Sequence, residues 1–318
     1  MGSNPIRATD AMFTRLFASV AFGLVSFPSV REGLEAEQLF RVQGTVGPIV
    51  LGVALVGDIA TGDIEHRRSG PPAPPRQSTE VVPSRRYDEP MTSRLRVLVE
   101  QPTRGKRWVA VAADWPGLER GGKTEDEAVE KLARYVPRYL PVAKRVRLGS
   151  DLATQTDLDI IGRYLGVGST DFWGISFAPS PLDREPFDAP LFERKVRLLR
   201  AAWAEFDETA ARVSAELRPG VRGGGRSRDQ LVRHVMATEG GDFSKRVKAK
   251  SELEDLLTLG RRARHRDRFV EAMRAWYAQG KPLGNWTIPY LLRHTAYHVL
   301  DHTWEMQDRD LTDDASAG

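Results

Sequence analysis

The sequence predicts an α+β protein, in which a small β-β-β-α unit at residues 91–148 precedes a bundle of four helices at residues 189–311. Three observations predict this order. Apolar residues first alternate with a period of two, which is typical of strands with one buried face. A Thr-x-x-Glu capping box, formed by Thr124 and Glu127, then opens a helix. From residue 189 onwards, the apolar residues follow the spacing of long helices that pack side by side.

The β-β-β-α unit begins with two strands joined by a hairpin. Residues 95–99 alternate along the first strand, Pro102 and Gly105 supply the turn, and residues 108–113 continue as the second strand. Residues 114–117 then turn into a short third strand.

The helix that follows has one apolar face. That face consists of Ala128, Leu132, Tyr135, Val136 and Tyr139. Pro137 falls inside the pattern and is expected to kink the helix or end it early. Residues 149–188 are predicted to be a linker that contains one strand, Asp159–Leu165.

The run VAADWPGLERGGKTEDEAVEKL resembles the HicB-like family in its order of motifs. The matching residues are Pro116-Gly117-Leu118, Gly122, Thr124 and Asp126-Glu127-Ala128. The resemblance implies the scaffold of an antitoxin that pairs with an RNase toxin. Because no ribbon-helix-helix or helix-turn-helix pattern follows it, the unit is interpreted as a scaffold or binding module, and an antitoxin-like regulator is the least favoured function.

Each of the four helices of the bundle is predicted from its own local pattern. The first has an apolar stripe over about seven turns; it runs through Phe192, Val196, Leu199, Trp203, Phe206, Ala210, Val213 and Leu217. Ser227 and Gln230 form a capping box that starts the second helix. Ser251–Leu257 and Asp267–Tyr277 are the pieces of the third, and Thr287 caps the fourth. Short connections imply an up-and-down bundle, or one with a long crossover.

The fourth helix carries three of the six histidines of the chain, His294, His298 and His302. Side chains four residues apart lie one above the other on a helix, so two of these imidazoles can reach one metal ion. Residues i and i+8 lie roughly 12 Å apart along the axis, so all three cannot. A metal site therefore needs two of them and a ligand from another helix.

The apolar stripe of the fourth helix faces His298 and His302 inward and leaves His294 at the rim. His234, which lies in the apolar pattern of the second helix, is the predicted third ligand. A set of three histidines suits Zn²⁺, Ni²⁺ or Fe²⁺. Glu305, like Asp301, is a candidate to orient the ligands. The alternative is that these are core histidines whose hydrogen bonds are satisfied within the protein.

The run YHVLDHTWEMQDR resembles the last-helix motif of actinobacterial proteins of the DinB/YfiT-like family, and LVRHVMATE resembles their second helix. The resemblance implies a four-helix bundle in which His298, His302 and His234 bind a divalent metal ion. It also implies a metal-dependent thiol transferase or isomerase that uses mycothiol or a similar thiol as cosubstrate with a small-molecule substrate. Many relatives have no assigned reaction, so a non-catalytic stress-response or partner-binding protein is the alternative. The resemblance, together with an exposed face of the bundle, is also compatible with a homodimer.

Arg233 and Arg293 lie next to His234 and His294, where they could bind a carboxylate. The other interpretation, that both are solvated surface arginines, is the more common situation for such residues.

The composition of the chain excludes some kinds of site and partner. The chain contains no cysteine, which excludes thiolate metal sites and a cysteine nucleophile. The net charge of +4 is small, so no nucleic acid is expected as a partner. The apolar run at residues 49–60 is too short to span a membrane, which needs roughly 20 apolar residues, so no membrane partner is expected. A cytoplasmic location is expected. Residues 1–90 are predicted to be a non-native extension from an over-extended gene start, or else a disordered region; a targeting or membrane segment is the third alternative. Residues 312–318 are predicted to be a disordered tail.

Overall fold

The computed structural model describes residues 93–185, 188–220, 225–280 and 283–312. The predicted extension at residues 1–90, and the predicted tail from residue 313 onwards, lie outside the described residues. The described chain is a mixed α+β structure, in which a four-stranded sheet is followed by several helices. The predicted α+β class is therefore confirmed.

The sheet has the strand order β3-β2-β1-β4. Its strands are β1 (Arg94–Gln101), β2 (Trp108–Ala112), β3 (Glu119–Gly122) and β4 (Asp157–Leu165). Strand β2 pairs antiparallel with both β1 and β3, whereas β4 pairs parallel with β1. The three predicted N-terminal strands and the strand predicted inside the linker are all present.

Helix α1 (Glu125–Arg145) covers one face of the sheet. Thr124 caps it by accepting a hydrogen bond from the backbone N–H of Glu127 at 3.1 Å. The helix continues through Pro137 to Arg145, so the expectation that Pro137 would end it early is wrong. Buried side chains on both sides of that proline hold the helix on the sheet, and Tyr139 donates a hydrogen bond to the carbonyl of Pro116 at 2.8 Å.

The residues predicted to be a linker are largely structured. They form α2 (Gly149–Ala153), strand β4, α3 (Gly168–Trp173) and α4 (Pro181–Arg184). Strand β4 extends the sheet at the edge opposite β3.

The remaining helices follow in the second half of the chain. They are α5 (Ala189–Arg212), α6 (Arg228–Thr238), α7 (Leu253–Leu256), α8 (Leu259–Ala278) and α9 (Ile288–Asp308). A π-helical turn (Glu239–Phe243) and a 3₁₀ turn (Ser244–Val247) continue directly from α6. The predicted caps Ser227 and Thr287 both occupy N-cap positions.

Two helix boundaries differ from the prediction. Helix α5 ends at Arg212 rather than near Leu217, because Val213 is extended and the backbone N–H of Ser214 binds the carboxylate of Asp310 at 2.9 Å. Val213 and Leu217 are nevertheless buried, which explains why they continue the apolar stripe. The long piece of the third helix begins at Leu259, well before the predicted start.

Helix α9 packs against the sheet as well as against α5. Leu300 and Trp304 belong to the same apolar core as β1, β2 and α1. The turn before β3 meets the helix at Gly117, where a β-carbon would lie 2.8 Å from the backbone carbon of Ala296. Gly117 also has a φ of +88°, which favours glycine. The helix that carries the clustered histidines is thus fixed to the α+β part of the chain.

Candidate metal centre

The local sequence of α9 determines how its histidines are presented. Thr287 accepts a hydrogen bond from the backbone N–H of Tyr290 at 3.2 Å, and Pro289 lies in the first turn, where its missing N–H costs nothing. The helix then continues to Asp308, so His298 and His302 lie one turn apart on one face. Helix α6, which starts at the Ser227 cap, brings His234 opposite them.

His234, His298 and His302 converge. The Nε2 atoms of His234 and His298 are 3.3 Å apart. One ring nitrogen of each of the three residues lies within 4.8 Å of the other two. All three side chains are half-buried, so the site is partly accessible from solvent. The three residues predicted from the sequence are therefore brought together in space.

These distances fit a divalent metal ion. Two imidazole nitrogens bound tetrahedrally to Zn²⁺, each at about 2.0–2.1 Å, are separated by about 3.3 Å. The two facing Nε2 atoms have that separation. Two neutral imidazoles that face each other through nitrogen can share at most one proton, and a metal ion bound between them would use both lone pairs.

Burial keeps His234 and His298 uncharged. It lowers the pKa of His234 to about 4, assisted by the charges of His302 and Arg226. Burial also lowers the pKa of His298 well below its usual value, and His302 and His234 add to this. Neutral imidazole is the form that binds metals, so both residues are ready to bind at neutral pH.

Glu305 orients His302. Its Oε2 lies 2.8 Å from Nδ1 of His302, and its Oε1 accepts a hydrogen bond from Arg309 at 2.8 Å. The hydrogen bond to His302 is the largest cause of a lowered pKa at Glu305, so the carboxylate is ionised at neutral pH. A carboxylate on Nδ1 fixes Nε2 as the atom available to a metal, which is the usual arrangement around metal-bound histidines. Asp301, the other predicted orienting residue, instead binds Arg120 at 3.2 Å.

His298 has no such partner on its other nitrogen. Its Nδ1 is buried and forms no hydrogen bond among the described residues. The ring of Phe243, at the end of the π-helical turn, lies perpendicular to the imidazole at 5.5 Å between centroids. Phe243 was not predicted as part of the site, and its place depends on a turn type that the sequence does not mark.

His294 is not a rim residue, and the prediction that placed it at the rim is wrong. It is only 5% exposed and is surrounded by the rings of Phe243, Trp286 and Tyr290. Burial, assisted by the charge of Arg293, lowers its pKa to about 3. It serves as an uncharged core residue beside the triad.

Arg293 is also buried, contrary to the favoured interpretation that it is a surface residue. Its guanidinium binds Glu119 at 2.6 Å and Asp183 at 2.8 Å. Burial raises the pKa of Glu119 to about 7, despite the nearby Arg293, and the charges of Glu100 and Asp183 raise it further. The sequence analysis did not predict this buried cluster, because its members lie far apart along the chain. Arg233, by contrast, lies on the surface and pairs with Glu254.

No helix within the described ranges combines the length and apolarity needed to cross a bilayer. Comparison of the chain with protein-family models, with curated proteins and with solved structures gives no match.

Proposed function

We propose that His234, His298 and His302 bind one divalent metal ion, Zn²⁺, Ni²⁺ or Fe²⁺. The observation that carries this proposal is the convergence of three imidazoles from two helices, with two Nε2 atoms 3.3 Å apart. The carboxylate of Glu305 on the third imidazole supports it, because metal-bound histidines usually donate their other ring N–H to such a group.

We also propose that the chain is a member of the DinB/YfiT-like family. Helices α5, α6, α8 and α9 would be the four helices of a DinB-like bundle, and the sheet with α1 would be the HicB-like unit. The two runs of sequence that resemble DinB/YfiT-like proteins contain all three ligands, and both form helices at the expected caps. This agreement supports a member of that family.

The reaction proposed for the site is transfer or isomerisation that depends on a low-molecular-weight thiol of the mycothiol type. A bound divalent metal lowers the pKa of a thiol that coordinates it, so the thiolate forms at neutral pH. The chain would contribute two ligands that burial keeps neutral, His234 and His298, and a fixed Nε2 on His302, held by Glu305. The absence of cysteine fits a thiol that arrives with the cosubstrate.

Metal analysis of the full chain tests the site. We expect one metal ion per chain in the wild-type protein and none in a His298→Ala/His302→Ala variant. His294→Gln is the matched control, since it changes a histidine of the same helix outside the triad and is expected to keep the metal. Equal metal content in the wild type and the double variant would refute the metal site.

A conjugation assay with mycothiol and a panel of small electrophiles tests the reaction separately. Turnover that is lost in the double variant would support a thiol transferase. A chain that holds its metal but turns over none of the electrophiles would instead be the non-catalytic binding protein.

A further inference from the structure

A second buried polar cluster, distinct from the one around Arg293, lies among the helices of the second half of the chain. Glu239 opens the π-helical turn after α6, and His265 and Arg266 are neighbours on α8. All three side chains are buried. Arg266 donates hydrogen bonds to Oε1 of Glu239 at 3.0 Å and to Asp207 of α5 at 2.7 Å. The cluster therefore joins α5, α8 and the turn after α6.

Each of these three side chains has one buried polar atom without a partner. Oε2 of Glu239, Nε2 of His265 and Nη2 of Arg266 form no hydrogen bond with any described residue. Nε2 of His265 and Oε1 of Glu239 are 3.9 Å apart, which is too far for a direct hydrogen bond. Nε1 of Trp203, whose ring centroid lies 5.1 Å from the guanidinium carbon of Arg266, is a fourth such atom. Unpaired buried donors and acceptors are costly, so their concentration in one place indicates a shared partner.

The charges of the cluster define the chemistry of that partner. Asp207 binds Arg262 and Arg266 at 2.7 Å each, and Glu239 binds Arg266, so two carboxylates balance two guanidinium groups. Burial lowers the pKa of His265 to about 4, so this ring is uncharged at neutral pH. A charged ligand would leave an unbalanced charge in the core, which is strongly unfavourable. The partner is therefore neutral, and it must both donate and accept hydrogen bonds.

We propose that Oε2 of Glu239, Nε2 of His265 and Nη2 of Arg266 bind one buried water molecule. Water is neutral, donates to the carboxylate and accepts from the guanidinium. It also fits either tautomer of His265, whose other ring nitrogen lies 2.8 Å from Oγ of Ser251. Buried waters typically make about three hydrogen bonds to polar groups that are otherwise unsatisfied. The water fastens the π-helical turn to α8, and the inference is independent of the proposed metal site.

A crystal structure of the full chain, at a resolution that places ordered water, tests the inference directly. We expect one electron-density peak at about 2.7–3.2 Å from each of the three atoms. A structure in which both oxygens of Glu239 bind two nitrogens of Arg266, with no peak beside them, would overturn the inference. A peak whose height or shape belongs to an ion or to a larger molecule would overturn it as well.

Magnetic relaxation dispersion of the solvent, which counts long-lived buried waters, tests the site in solution. Glu239→Met/Arg266→Met removes both charges of the pair together and leaves Asp207 paired with Arg262. We expect this variant to lose one long-lived water relative to the wild type.

Glu193→Met/Arg274→Met is the matched control, since it makes the same replacements in a partly exposed ion pair of 2.6 Å and is expected to lose no water. Equal counts in the wild type and Glu239→Met/Arg266→Met, or the same loss in both variants, would contradict the buried water. Far-UV circular dichroism shows whether each variant folds. If Glu239→Met/Arg266→Met does not fold, the crystal structure of the wild type decides.

Discussion

Replacing Glu119 by glutamine is expected to stabilise the protein at pH 8 and to leave its stability at pH 4.5 nearly unchanged. Glu119 is fully buried and shares one guanidinium, that of Arg293, with Asp183. Its second oxygen, Oε1, is buried without a hydrogen-bond partner among the described residues. Burial and the charge of the nearby Glu100 make the ionised form unfavourable, so the pKa of Glu119 rises from 4.5 to about 7.

The sign and size of the effect follow from that pKa. Between pH 4.5 and about 7, Glu119 is protonated in the folded chain and ionised in the unfolded chain, so stability falls as the pH rises. The stability that the protonated group contributes is fully present below pH 4.5 and is lost as the pH rises through about 7. At about 1.4 kcal/mol per pH unit, the interval corresponds to roughly 3 kcal/mol. Glutamine mimics the protonated form at every pH and avoids this loss.

Urea unfolding of the wild type and Glu119→Gln at several pH values between 4.5 and 8 measures the difference. The buried histidines titrate in both proteins, so their contribution cancels when the two free energies of unfolding are subtracted. The difference should grow with pH to roughly 3 kcal/mol in favour of the variant. Glu130→Gln, on the exposed side of α1, should give a flat difference. A flat difference for Glu119→Gln, or a variant that is less stable at pH 8, would refute the reasoning.

Two further substitutions test the support around the triad and the packing of α9. Glu305→Gln should weaken metal binding by about 10- to 100-fold, because an amide orients His302 less firmly than a carboxylate. Competition with a chelator measures the metal affinity. An unchanged affinity would show that Glu305 is not part of the site. Gly117→Ala should destabilise the chain by clearly more than Gly105→Ala in thermal unfolding. Both glycines have positive φ, but only Gly117 meets the backbone of Ala296, so equal losses would contradict the close contact.

Features encoded by local sequence were predicted correctly. The capping residues Ser227 and Thr287 mark helix starts because their side chains bind backbone N–H groups only three residues away. The pairing of His298 with His302 depends only on helix geometry. The histidine of α6 followed from its place in an apolar pattern, which fixes the direction that the residue faces.

Features that depend on distant parts of the chain were not predicted. Whether His294 and Arg293 are exposed depends on what covers the first half of α9. Phe243 covers His294, and Asp183, from the segment predicted as a linker, pairs with Arg293. A charged residue looks like a surface residue in the sequence whenever its partner lies far away. The burial of Glu119 was not predicted for the same reason, since its partner Arg293 is separated from it by most of the described chain.

Helix α9 connects the two halves of the described fold. On one side, His298 approaches His234 of α6; on another, Trp304 packs into the core of the sheet, and Arg293 binds Glu119 at the start of edge strand β3. A helix held by hydrogen bonds at every turn moves as a unit, so a shift of α9 against the sheet also shifts two of the three triad histidines. The sheet and α1 therefore take part in setting the geometry of the triad. A change in the buried acidic cluster, such as Glu119→Gln, should for this reason alter the affinity of the proposed metal site as well as the stability.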